Sequence, residues 1–347
     1  MYIKRILLGI ALVGLIGGGI FAYIVFGTFF TPNTNFNNDE AIVFIPSNAS
    51  VSDLEERLAP LLEDFGSFKS AAERKGYISN IKPGRYRIAK GMNNNEIVNS
   101  LRSGNLPVKV SFNNQESIND LAGRIASQIE ADSVALVAAF DDKEFLKANG
   151  FDDDNKISLY IPNSYEFFWN TSAEGFRGRM LKEYNRFWTD TRKEKASALG
   201  LKPNEVIALA SIVHKETAKV DERPTVAGVY LNRLRKGMLL QADPTVIYAI
   251  KKETGNYDTI IKRVLYRDLE MDSPYNTYKY AGLPPGPIAM PDITAIDAVL
   301  NPKKHNYYYF VANVEKFGYH MFAENLTQHN RNKEQYIRWI NAQKINR

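Results

Sequence analysis

The chain opens on an unbroken apolar run. Residues 6–30 carry no charge, and their 25 positions, wound as a helix, span roughly 37 Å at about 1.5 Å each, enough to cross a bilayer core of about 30 Å. The run exceeds the roughly 7–15 apolar residues of a cleaved signal peptide, and no small-x-small cleavage pattern follows it, so an uncleaved anchor is expected. Lys4 and Arg5 precede the run, whereas residues 31–50 contain Asp39 and Glu40 but no Lys or Arg. By the positive-inside rule, residues 1–5 are expected in the cytoplasm and the bulk of the chain on the far side of the inner membrane, the periplasmic face.

Beyond the anchor the pattern alternates between short strands and short helices. Residues 31–40 are polar and turn-rich and read as a linker. A β-type run at 41–45 is followed by helical spacing over 51–62, with Ser52 as the expected N-cap and Glu55 three residues on. Residues 82–88 predict a turn into a strand, and 94–101 a helix stopped by Ser103-Gly104. Together 41–106 make a small α+β module. A strand at 108–112 and helix-rich sequence over 117–140 fill a connecting region, 107–156. From 157 to 347 the chain is denser in aromatics and prolines, with helices expected over 176–188, 206–220 and 224–236. The fold class is therefore α+β: one membrane helix, a small module and a larger α+β domain.

Composition narrows the chemistry. The chain has 347 residues, 44% hydrophobic and 24% charged, as in folded globular proteins. A net charge of +5 without a dense Lys/Arg block gives no nucleic-acid signature. Absence of cysteine excludes disulfides, thiolate metal sites and cysteine nucleophiles. The four histidines, His214, His305, His320 and His329, are too scattered for a HExxH-type motif, so no metal and no cofactor are expected.

The most informative stretch is 202–237. Pro203 suits the first turn of a helix and Glu205 its positive end. Leu209, Ile212 and Val213 mark an apolar face that Glu216 shares, being four residues beyond Ile212 and seven beyond Leu209. A carboxyl on a core-facing stripe is driven towards its protonated form, which a general acid needs. The same position also suits a buried Glu paired with Arg233, Arg235 or a backbone donor, and the pattern does not separate the two. His214 lies roughly 200° around the helix from Glu216 and is expected on the surface. Gln241, Asp243 and Thr245 crowd a turn in which Asp243 before Pro244 reads as an N-cap. Tyr275, Asn276, Thr277 and Tyr278, followed by the Gly282–Ile288 loop, offer aromatic plates and amide or hydroxyl groups suited to sugar rings, or a rigid loop with core tyrosines.

Several strings, in order, resemble the YceG-like family, the endolytic murein transglycosylases: Ala208-Leu-Ala-Ser-Ile-Val-His-Lys-Glu-Thr217, Val229-Tyr-Leu-Asn-Arg-Leu-Arg235, Leu240-Gln-Ala-Asp-Pro-Thr-Val-Ile-Tyr248, Tyr275-Asn-Thr-Tyr278, Gly282-Leu-Pro-Pro-Gly-Pro-Ile288 and Tyr309-Phe-Val-Ala312. The 41–104 stretch looks like the family's LysM-like subdomain and 157–347 like its catalytic domain. Pro162-Asn163-Ser164-Tyr165 resembles a Pro-Asp-Thr-Tyr segment, with Asn163 in place of the Asp, and His214 stands where the family often has Glu. The resemblance implies a lytic transglycosylase of peptidoglycan glycan strands with Glu216 as the catalytic carboxyl. Gln241, Asp243, Thr245, Tyr248, Tyr275, Asn276, Thr277 and Tyr278 would then be substrate-side residues. It further implies a membrane-anchored enzyme near peptidoglycan synthases as partners. A hydrolase of the same polymer with Glu222 or Asp243 as second carboxylate, and a non-catalytic wall-binding scaffold, are the competing expectations.

Overall fold

A computed structural model describes residues 2–342; Met1 and the last five positions of the 157–347 region lie outside the described residues. The chain divides into two compact units. The first comprises Met1–Val110, Gln128–Ala131 and Tyr165–Ser172; the second comprises Ser111–Ser127, Asp132–Ser164 and Ala173–Arg347.

In the first unit, α1 (Tyr2–Phe30) has a mean hydropathy of 2.3 over its most apolar window and, among the described residues, is the one helix long and apolar enough to cross a membrane. Then follow β1 (Glu40–Ile45), α2 (Val51–Leu58), α3 (Phe65–Arg74), β2 (Gly84–Ala89), α4 (Asn94–Ser103) and the start of β3 (Pro107–Phe112). β1 and β2 pair antiparallel from Glu40↔Ala89 to Ile45↔Gly84. Their inward residues Val43, Ile45, Tyr86 and Ile88 bury against Leu54, Leu58, Phe68, Ile97 and Leu101 from the helices. The α2 cap falls earlier than the pattern suggests. Ser50, not Ser52, accepts the Asp53 N–H, and Asp53 returns a bond to the Ser50 backbone, because only Ser50 has the extended backbone a cap requires. Asn93 and Glu96 form the same box on α4. The expected linker is ordered: Asn33 donates to Asn94 Oδ1 (2.7 Å) and the Asp64 carbonyl (2.9 Å), and Asn94 donates to Thr28 O at the end of α1 (2.8 Å).

The second unit is mostly helical. It contains α5 (Ile118–Ala126), α6 (Ser133–Phe140), α7 (Lys143–Ala148), the start of β4 (Asn163–Phe168), α8 (Ala173–Phe187) and α9 (Asp190–Ala198). It continues with α10 (Pro203–Glu216), α11 (Arg223–Arg235), α12 (Asp243–Thr254), α13 (Ile293–Leu300), β5 (Tyr309–Ala312), β6 (His320–Ala323) and α14 (Leu326–Ala342). β3 pairs with β4, and β5 with β6 as an antiparallel hairpin.

α10 is central to this unit, packing against α9, α11, α12 and α13. Every residue from Val206 to Val213 is buried, so the helix is enclosed on all sides rather than along one stripe. It also stops at Glu216, four residues short of the expected end, because Thr217 turns extended (φ −139°, ψ 131°). The Gly282–Ile288 loop lies on α10, where the Ile288 N–H donates to the buried Ser211 Oγ (3.0 Å). Within that loop a Cβ on Gly286 would overlap the Asp154 backbone carbonyl. Gly286→Ala is therefore expected to destabilise by about 1–3 kcal/mol, as overpacking does. Gly123→Ala, in α5 with open space at its Cβ, should be neutral or stabilising. Thermal unfolding of the two variants checks the contrast.

Candidate active site

Three consecutive residues at the end of α10 point to three different environments. His214, expected on the surface, is instead half-buried: its Nδ1 lies 3.3 Å from Asp292 Oδ2 and 3.2 Å from an Arg223 amine. The buried Arg223 also pairs with Asp292 (3.1 Å), bonds Thr294, and donates to the Thr217 carbonyl (3.4 Å). A surface reading fails here because α13 covers that face. Lys215 reaches Glu116, whose other oxygen takes Lys251 at 2.7 Å. Glu216 faces neither group.

The Glu216 carboxyl accepts a hydrogen bond from the Tyr230 hydroxyl at 2.7 Å, from α11. Tyr230 is itself buried, edge-on to Phe310 of β5 with ring centroids 5.9 Å apart. Glu216 retains some solvent access as a residue, yet burial of its carboxyl is the dominant influence and raises its pKa to about 7. The Tyr230 bond opposes this, as do the electrostatic influences of His320 and Arg233; the negative charge of Asp243 reinforces it. Its place on the last turn of α10, at the negative end of the helix dipole, also disfavours the carboxylate. A carboxyl that exchanges its proton near neutral pH can serve as acid and then as base.

Neither arginine expected as a partner pairs with Glu216. Arg233 spends its donors on the carbonyls of Tyr308 (2.6 Å), Leu239 (3.2 Å) and Leu240 (2.8 Å), and Arg235 bonds Asn232. Glu222 is buried and occupied: it accepts the His320 backbone N–H (2.7 Å), contacts His320 Nδ1 (2.8 Å) and takes a bond from Thr217. Burial alone would raise its pKa, but these bonds outweigh that and hold it low.

The two polar turns singled out in the sequence form one bonded unit. The Gln241 N–H donates to Thr277 O (3.0 Å), Ala242 N–H to Thr277 Oγ1 (3.0 Å), and the Thr245 and Thr277 hydroxyls share a bond (2.8 Å). Thr245, Asn276 and Thr277 are buried, with their polar atoms spent inside the unit; Asn276 donates to Leu269 O and Met271 O. Gln241 and Asp243 are exposed, and the half-buried Tyr278 donates its hydroxyl to Asp243. Asp243 is thus in the first turn of α12 rather than its N-cap; that position is Ala242, whose side chain has no acceptor. Gln241 is the one non-glycine residue with positive φ (49°) among the described residues, a strained conformation at the edge of the site. Tyr248 and Tyr275 pack together (4.8 Å), with Tyr275 bonded to Asp154 and Tyr248 lining a cavity of about 320 Å³ with Tyr257, Lys252 and Glu116. Tyr230, Arg233 and His320 were not singled out as site residues. Tyr230 and Arg233 lay inside a quoted string, whereas His320 is a lone histidine about a hundred residues downstream with no local signal. Among the described residues no three His, Asp or Glu side chains gather closely enough to hold a metal ion.

A descending pH limb follows. With Glu216 acting as a general acid, log kcat/KM should be level below its pKa and fall as pH rises through about 7, and a flat profile would argue against that role. Tyr230→Phe removes an influence that lowers this pKa and should move the limb to higher pH. Asp243→Asn removes one that raises it and should move the limb to lower pH. Rate profiles from pH 5 to 9 read both displacements.

Comparison with known proteins identifies the family. The model of the YceG-like family matches residues 43–335. The endolytic murein transglycosylase of Bacillus subtilis (strain 168) is 32% identical over 315 residues, covering 84% of each chain. That of Streptococcus pneumoniae (strain ATCC BAA-255 / R6) is 28% identical over 355 residues, covering 93% of this chain, which spans 63% of the pneumococcal protein. A YceG-like protein from Listeria monocytogenes, with a crystal structure at 2.6 Å, superposes with a TM-score of 0.55 at 28% identity, over 85% of this chain and 99% of that one. The chain belongs to the YceG-like family.

Proposed function

We propose that the protein is an endolytic lytic transglycosylase of peptidoglycan, cutting the MurNAc–GlcNAc bond of glycan strands with Glu216 as acid and base. The observation that carries this reading is the Glu216 carboxyl, whose pKa burial raises to about 7 while Tyr230 fixes one of its oxygens. Glu216 gives its proton to the bridging oxygen as the bond from that oxygen to MurNAc C1 breaks. The MurNAc C6 hydroxyl then closes onto C1, and its proton returns to Glu216. A 1,6-anhydro end forms, no water is consumed, and the carboxyl is restored. An internal nucleophile removes the need for the second carboxylate that ordinary glycosidases use. This suits a site in which Glu222 is committed to His320 and Thr217.

Gln241, Asp243 and Tyr278 are the expected sugar contacts, held in register by Thr245, Asn276 and Thr277; Tyr248 and Tyr275 serve a more distant part of the strand. In this reading the apolar α1 is the anchor in the inner membrane, Lys4 and Arg5 lie on the cytoplasmic side, and the catalytic unit works in the periplasm beside newly made strands. The 41–106 module acts as a LysM-like wall contact, and a peptidoglycan synthase is the expected neighbour.

Glu216→Gln should lower strand cleavage by roughly 10²–10⁴-fold, the range for losing a positioned acid/base group. Mass spectrometry of sacculus digests decides the chemistry. Non-reducing 1,6-anhydro ends, one water lighter than hydrolytic ends, are expected from the wild type. Reducing ends would indicate a hydrolase, and unchanged strands with either protein a wall-binding scaffold.

A further inference from the structure

Within the same unit, β6 brings a second ionisable group to the Glu216 environment. His320 is the first residue of β6, and Glu222 is the residue just before α11. The buried Glu222 carboxylate grips His320 twice, through the backbone N–H at 2.7 Å and the ring Nδ1 at 2.8 Å. Glu222 also takes a bond from Thr217, the residue that follows Glu216. On its other side the His320 ring packs edge-on against Phe310 (5.0 Å), the ring on which Tyr230 rests. Thus Glu216 and His320 are joined by two routes: Thr217 to Glu222, and Tyr230 to Phe310.

With Nδ1 committed to a carboxylate, the bond fixes the ring's orientation and leaves Nε2 as its only free nitrogen. The groups facing Glu216 are Tyr230 and Arg233 from α11, Asp243 from α12, Tyr278 from the 275–278 turn and His320 from β6. Of the charged ones, His320 acts on it most strongly. Arg233 is tied to three backbone carbonyls, whereas the His320 ring is held by the Glu222 carboxylate.

We infer that Glu222 and His320 form a tethered positioning pair that stabilises the Glu216 carboxylate between its two proton transfers. The inference rests on the transglycosylase reading. After Glu216 protonates the leaving oxygen it is left as an anion in a poorly hydrated site, and a fixed ring nearby, whenever both its nitrogens carry protons, lowers the cost of that state without pairing so tightly that the proton cannot return. Too strong a partner, such as a direct Arg contact, would leave Glu216 ionised and useless as an acid. Glu222 supplies the counterweight, holding the imidazole in one orientation through Nδ1.

The test uses the full-length protein in detergent or nanodiscs acting on purified glycan strands. His320→Gln should lower kcat by roughly 10²-fold, the scale of losing one preorganised electrostatic partner, with little change in KM. Its descending pH limb should move to higher pH by on the order of half a unit or more. Glu222→Gln should move the limb in the same direction, and His320→Lys, which restores the charge, should bring it back towards the wild-type position. A purely structural role would lower activity and leave the limb in place; that result overturns the inference. Should the variants misfold, ¹⁵N NMR of His320 in the wild type decides: a ring that carries protons on both nitrogens at the working pH supports the pair, and a neutral ring there, whichever nitrogen holds its proton, refutes it. The limb position is independent of product identity, so hydrolytic ends would defeat the transglycosylase reading without moving this readout.

Discussion

The site depends on one hydrogen bond at the end of one helix: Tyr230 to Glu216, 2.7 Å, where α10 stops. α10 is buried from Val206 to Val213 and cannot shift along its axis without disturbing α11 and α13. Its last residue is therefore delivered to a fixed point, where burial and the negative helix end together favour a protonated carboxyl. The extended turn at Thr217 ends the helix there; continued to Val220, it would have carried Thr217 away from Glu222. The Arg223 bond to the Thr217 carbonyl holds this turn, so the buried Arg223, with its half-buried partners Asp292 and His214, supports the site without belonging to it.

Much of the architecture was legible in the sequence because the signals were local. The apolar run of α1, the Pro203 start of α10 and the Gly104 stop of α4 each depend on residues within a turn or two. Errors arose where two local signals competed or tertiary contacts decided. Ser50 and Ser52 both precede the apolar run of α2, and backbone conformation alone selects Ser50. Asp243 before Pro244 has the form of a cap, yet its carboxylate is drawn to Tyr278, a partner 35 residues away. His214 is polar and off the apolar stripe, but α13 brings Asp292 over it.

Glu216 itself was legible as an ionisable residue on an apolar stripe, and the family strings gave it a role. Its surroundings were legible only in part: Arg233 and Asp243 stand out in the sequence, but Tyr230 does not, and His320 comes from β6, far along the chain. The histidine is invisible to pattern reasoning: Glu222 and His320 are 98 positions apart, and nothing near either announces the pair. The two polar turns were each noticed, but not their union. Thr245 and Thr277 share a buried bond that spends both hydroxyls on the loop itself, leaving Gln241, Asp243 and Tyr278 as the exposed or half-buried remainder.

The central claim is a statement about one proton. Site-specific ¹³C NMR of Glu216 in the folded full-length protein, assigned by comparison with Glu216→Gln, measures it without substrate. A carboxyl resonance that titrates at about pH 7 is the predicted result. Titration near 4.5, the ordinary value for glutamate, would contradict it, because an already ionised carboxylate has no proton to give the glycosidic oxygen at neutral pH.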